Sequence, residues 1–150
     1  MQDIAKTIND LHEGTWAATL GLVVQTASRD EVTATVDVAR LHHQPHGIVH
    51  GGVYCSIIES LASIGAALDV MPHGKHAVGL DNHTSFIRAT RTGTLHCRAT
   101  PVTRGRRTQI WDVTVHNDAR ELAASGRVRL LVLDAGSQVA GEALTTQIDE

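Results

Sequence analysis

Apolar positions change their spacing along the chain, and each spacing predicts an element. Ile4, Ile8 and Leu11 recur at helical intervals and Gly14 closes the run, which predicts a short amphipathic helix over residues 2–12. GLVVQTA predicts a strand. EVTATVDVA predicts a second, with Val32, Ala34, Val36 and Val38 on one face and Glu31, Thr33, Thr35 and Asp37 on the other. RLHHQPHG breaks the alternation and reads as a loop. From Val49 to Val70 the chain is rich in Ala, Leu and Ile, as in a long buried helix, and Pro72 with Gly74 stops it.

Strand-like segments then return in series: HAVGLDNHTSFIRA, GTLHCRATPV, TQIWDVTVHN and ELAASGRVRLLVLD. The stretches TRTG, TRGRR and NDAR between them have hairpin length and turn composition. Trp111, Val113 and Val115 alternate with Asp112 and Thr114, as in an antiparallel strand covered on one face. After Asp134 the patterning weakens, so residues 1–134 are expected to form one domain and 135–150 a frayed tail. The fold class is α+β, with an antiparallel sheet of about five or six strands wrapped around one long central helix.

One carboxylate interrupts that helix. At about 100° per residue, Ile57, Leu61, Ile64 and Leu68 share a narrow stripe, expected to face the sheet. Glu59 and Ser63 fall on the opposite side, one turn apart, among Ala62, Ala66 and Ala67 rather than other charges. A face of small residues around one carboxylate is expected to be covered by something other than its own sheet, and a second copy of the chain is the natural cover. At the helix start, Gly51 and Gly52 leave little bulk where the first amides are unpaired and carry the positive end of the helix dipole. A carbonyl oxygen or an oxyanion can approach there. Eight helical residues separate Gly51 from Glu59 by about 12 Å along the axis. If both act on one group, they come from different protomers of a two-fold dimer. The plainer alternatives are a solvated glutamate and a glycine pair that merely permits close helix packing.

Charge and composition then remove whole classes of function. A net charge of −3 and a pI near 6.3 leave no electrostatic footprint for nucleic acid. The opening MQDIAKTINDLHEG carries Asp3 and Asp10 and lacks the apolar core of a signal peptide. No run reads as long enough to span a membrane, so no membrane partner and a cytoplasmic location are expected. Cys55 and Cys97 lie in apolar stretches without ligand spacing and read as buried free thiols. The best metal candidate, HHQPHGIVH, sets His42, His43, His46 and His50 in no zinc spacing and without a Cys or acidic partner, so neither metal nor cofactor is expected.

GIVHGGVYCSIIESLAS resembles the helix of the hotdog-fold acyl-CoA thioesterases, in the branch of the phenylacetate-pathway (PaaI-like) enzymes and the Arthrobacter-type 4-hydroxybenzoyl-CoA thioesterase. VGLDNHTSFIR resembles the family's following strand and GRRTQIWDVTV a later one, so the likeness covers roughly residues 20–134 in order. The resemblance implies the hotdog fold and hydrolysis of an aryl- or medium-chain acyl-CoA to free acid and CoA. It makes Glu59 the catalytic carboxylate, as nucleophile or as general base toward water. Gly51 becomes the N–H donor that polarises the thioester carbonyl. Gln44 becomes the amide that orients the carbonyl or the carboxylate, and Ser63 stands where a threonine holds the hydrolytic water. His50 and Gly52 at the helix start, with Asn82 and His83 in the next strand, are candidate substrate-binding residues. Arg104, Arg106 and Arg107 in TRGRRT, with Arg88 as a weaker candidate, are placed to grip CoA phosphates. The Arthrobacter-type enzyme carries small hydroxyl residues in that turn, so Arg106 and Arg107 depart from it. Dimers, often paired as dimers of dimers, are the implied assembly. Two rivals remain on the same fold: a hydroxyacyl dehydratase or hydratase, whose Asp-x-x-x-x-His pattern is missing here, and a non-catalytic acyl-CoA-binding protein.

Overall fold

A computed structural model describes residues 3–145. Helix α1 (Ile4–Leu11) is capped by Asp3, whose side chain accepts from Ala5 N–H at 3.1 Å, and it turns Ala5 and Ile8 inward. Residue 2 of the expected helix lies outside the described residues. A second helix, α2 (Trp16–Leu20), has no counterpart in the sequence reading, because five residues are too few for a period to show.

Six strands form one antiparallel sheet: β1 (Leu22–Ala27), β2 (Val32–Asp37), β3 (His76–Phe86), β4 (Thr94–Arg104), β5 (Thr108–His116) and β6 (Leu122–Leu133). Each matches a predicted strand segment, and the long helix α3 (Gly51–Val70) lies between β2 and β3 in sequence. The spatial order is β1-β2-β4-β5-β6-β3. TRTG is therefore no hairpin. The long helix carries the chain to the far edge of the sheet, where β3 pairs with β6, and TRTG leads back to β4 between β2 and β5. The alternation expected in β2 and β5 is present: Val32, Ala34, Val36, Trp111, Val113 and Val115 are buried toward the helix.

Helix α3 is covered differently from the straight stripe that the sequence suggested. Two i, i+4 rows are buried, Val53–Ile57–Leu61–Gly65 and Tyr54–Ile58–Ala62–Ala66, whereas Ile64 and Leu68 are only half-buried. Such rows run obliquely to the helix axis, and a twisted sheet follows them around the helix. Ala62 and Ala66 thus face the chain's own sheet and not a second copy. Gly65 is required by the same close approach, since a Cβ there would overlap the Trp111 indole. By length and composition Gly51–His73 is apolar enough to cross a membrane, contrary to the sequence expectation; the apolar residues serve instead as the inner layer under the sheet.

The two edges of the sheet differ. At β1, the Asn9 side chain donates to the Val24 carbonyl and accepts from Val24 N–H, both at 2.9 Å, and so occupies that edge. Strand β3, 11 residues long, has β6 on one side and, among the described residues, no strand on the other. Beyond β6 the expected frayed tail instead carries a small hairpin, β7 (Gln138–Val139) with β8 (Glu142–Ala143), whose residues are exposed. Residues 146–150 of that tail lie outside the described residues.

Candidate active site

The start of α3 leaves one backbone donor free. His50 caps the helix through Nδ1, which accepts from Gly52 N–H at 2.8 Å, and Val53 N–H donates to the His50 carbonyl at 2.9 Å. Gly51 N–H has no acceptor among the described residues. His50 and Gly52 therefore satisfy each other, and Gly51 carries the available end of the helix dipole. Gln44 approaches from the preceding loop. Its Oε1 accepts from His46 N–H at 2.5 Å, which fixes the side chain in its turn and leaves the amide NH2 free to donate. Gln44 and Gly51 line one cleft of 270 Å³ with Ile48, Tyr54, Phe86 and Arg88.

Glu59 lies elsewhere. It belongs to the half-buried row Cys55–Glu59–Ser63–Ala67, which borders β3. Ser63 Oγ donates to Glu59 Oε1 at 3.4 Å, and the same oxygen occupies the place a Cβ at Gly79 would take. A register shift between Gly79 and Asp81 bulges β3 at this point. Asn82 fastens the same helical turn, because its Nδ2 donates to the Cys55 carbonyl at 3.0 Å while its Oδ1 accepts from Thr84 Oγ1 at 2.6 Å. One end of Asn82 thus joins β3 to the helix, and the other is held by Thr84 within β3. His83, its neighbour, points to the other face of the sheet, into a cleft with Ser85, Asp112, Thr114 and Arg127. Asn82 and His83 do not converge on one site.

The four arginines divide between the two ends of α3. Arg88 shares the cleft of Gly51 and meets Glu121 at 3.6 Å. Arg104 is engaged within the chain, 2.8 Å from Asp30 Oδ1 and 3.8 Å from Asp69. Arg106 and Arg107 line a cleft of 280 Å³ with Lys75 and Asp134 at the other end, and neither forms an ion pair among the described residues. The loop histidines serve separate partners. His42 is buried between the Leu20 carbonyl and Ala39 N–H, and His43 reaches the Arg91 carbonyl. Of the cysteines, Cys97 is buried and burial pushes its thiol up to about 12, so it supplies no thiolate near neutral pH. Cys55 is only half-buried, not fully as its apolar surroundings suggested.

The sequence reading missed Gly79 and Phe86. Gly79 gave no local sign of its role, which depends on a helix 20 positions earlier. The ring of Phe86 sits on Gly51, where a Cβ would lie 2.5 Å from its Cζ. The facing of His83, by contrast, was available in the strict alternation of a strand.

Residues 46–124 match the family model of the thioesterase superfamily. Over 118 residues the chain is 42% identical to the Mycobacterium tuberculosis protein named "Putative esterase Rv1847", covering 77% of this chain and 84% of that one. It is 27% identical over 128 residues to the proofreading thioesterase EntH of Cronobacter sakazakii, covering 85% and 93%. The crystal structure of thioesterase HI1161 from Haemophilus influenzae is similar with a TM-score of 0.82 at 30% identity, over 87% of this chain and 90% of that one.

Proposed function

The chain belongs to the thioesterase superfamily and has its hotdog fold, and from that premise we propose that it hydrolyses an acyl-CoA thioester, aryl or medium-chain, in a site built by two copies of the chain. The observation that carries this reading is the separation of a free oxyanion donor from a half-buried carboxylate on one helix. Gly51 N–H and Glu59 sit about 12 Å apart along α3, and Glu59 borders the open edge strand β3. Of the two sheet edges, only β3 is left without a capping side chain such as Asn9 among the described residues. A second copy docked antiparallel along β3 has the two-fold symmetry that brings each Glu59 toward the partner's helix start.

In this site Gly51 N–H donates to the thioester oxygen, which gains negative charge as the carbonyl carbon becomes tetrahedral. The Gln44 amide donates to the same oxygen or to the attacking carboxylate. As general base, Glu59 takes a proton from water while the water oxygen bonds to the carbonyl carbon. The C–S bond then breaks, the electron pair leaves with sulfur, and the thiolate accepts a proton. As nucleophile, Glu59 bonds to the carbonyl carbon itself and expels the thiolate, and water then splits the resulting anhydride. Ser63 holds the carboxylate oxygen in either route. The thiolate is a good leaving group, so a donor and one carboxylate suffice. Arg106 and Arg107 are available to CoA phosphates, whereas Arg88 lies in the cleft of Gly51 and meets Glu121. Arg104, with its ion pairs to Asp30 and Asp69, takes the lesser part.

The test is thiol release from a panel of aryl- and fatty acyl-CoAs by the wild type and by Glu59→Ala. Loss of about 10²–10⁴-fold in kcat, with the mutant folded, is the expected result. Thiol release that survives the substitution would remove Glu59 from the mechanism.

A further inference from the structure

One side chain at the end of β3 has no part in the scheme above, yet it touches the candidate oxyanion donor. Phe86 is the only phenylalanine of the chain. The tip of its ring rests on Gly51, where nothing larger than hydrogen fits, since a Cβ would lie 2.5 Å from Cζ and 3.0 Å from Cε1. The ring stands 6.2 Å from that of Tyr54, with the planes inclined by 33°. Tyr54 is buried, whereas Phe86 remains 60% exposed. The phenyl group is thus backed by one aromatic residue, seated on a glycine, and open over most of its surface.

The cleft bordered by this ring is lined mainly by apolar groups, Ile48, Val49, Ile87 and Ala89 among them, with Gln44 and Arg88 as its polar lining. Such a lining separates the two halves of a CoA thioester. The CoA arm carries amides and phosphates, which lose hydrogen bonds to water in an apolar cleft. The acyl substituent beyond the carbonyl gains by burial there. With the carbonyl oxygen at Gly51 N–H, the acyl group begins within contact distance of the Phe86 ring. The cleft, at 270 Å³, falls just below the range of pockets that enclose drug-sized ligands, which suits a single ring or a short chain.

We propose that Phe86 is a specificity-determining residue, its ring face receiving the acyl group and favouring a flat aromatic acyl over a linear one of similar size. This deepens the thioesterase reading and rests on it. Paired aromatic rings gain stabilisation beyond simple burial. A ring already seated on Gly51 and against Tyr54 offers that face with little further ordering on binding.

The test compares kcat/KM for benzoyl-CoA and hexanoyl-CoA in the wild type, Phe86→Leu and Phe86→Ala. Phe86→Leu retains an apolar side chain at the strand edge and guards against simple loss of assembly. The benzoyl-to-hexanoyl ratio is expected to fall about tenfold in Phe86→Leu. An unchanged ratio, or an equal loss for both esters, overturns the inference while leaving the hydrolase standing. Absence of thiol release from every ester by the wild type sinks the hydrolase reading first, and this inference with it.

Discussion

A glutamate oxygen resting where a glycine has no side chain is the most constrained contact of the candidate site. Glu59 Oε1 accepts from Ser63 on its own helix and lies against the bulged backbone at Gly79 on β3. Gly79 is exposed in a single copy, so an added methyl costs little packing, but it displaces the carboxylate. Gly79→Ala is expected to lower kcat by about tenfold or more, with KM and the melting temperature close to wild type. Steady-state kinetics beside a thermal melt measures this, and an unchanged kcat would show that Glu59 need not lie against β3. The sequence revealed the residue types here but not their partners. Glu59 stood out because a charge interrupted an apolar helix, whereas Gly79 and Phe86 acquire meaning only from contacts 20 and 35 positions distant. Asn82 and Arg104 read as candidates for substrate and are engaged in holding the fold together.

Helix α3 explains why elements were more legible than their packing. Its length, start and stop follow from local signals: an apolar run, His50 and the glycines at one end, and Pro72 with Gly74 at the other. The strands likewise follow from alternation, most clearly in β2 and β5. Which face of the helix is covered depends on the twist of the sheet, which carries the contact along oblique i, i+4 rows and brings Gly65, Ala62 and Ala66 inward. Gly65→Ala tests that geometry. The substitution gains up to about 1 kcal/mol of helix propensity, but it drives a methyl into the buried Trp111 ring, at about 1–3 kcal/mol for overpacking. Trp111 cannot withdraw without cost, because its Nε1 donates to Gln109 at 2.8 Å and Gln109 donates to Asp69 at 2.7 Å. A net destabilisation by urea titration is expected, and stabilisation would mean that the sheet yields at this point. The crossover from β3 to β4 was hidden for a related reason. A seven-residue link with turn composition serves a hairpin and a crossover equally, and only the pairing of β3 with β6 decides.

At the scale of the whole molecule, the long helix sets a distance that one chain cannot close. Gly51 and Glu59 face different surroundings, one in the cleft with Gln44 and Phe86 and the other against the open edge strand. A shared site therefore makes each copy supply one half of two sites. Mixed dimers test this most directly. One chain carries Glu59→Ala and the other Gly51→Val, which collides with Phe86. The two are co-expressed with different tags, and the mixed species is isolated and assayed for thiol release from its best acyl-CoA. Each parent homodimer has two broken sites and is expected to be inactive. The mixed dimer gathers both lesions into one site, leaves the other whole, and is expected to show about half the wild-type activity. A mixed dimer as inactive as its parents, beside an active wild type, would contradict a site shared between two copies.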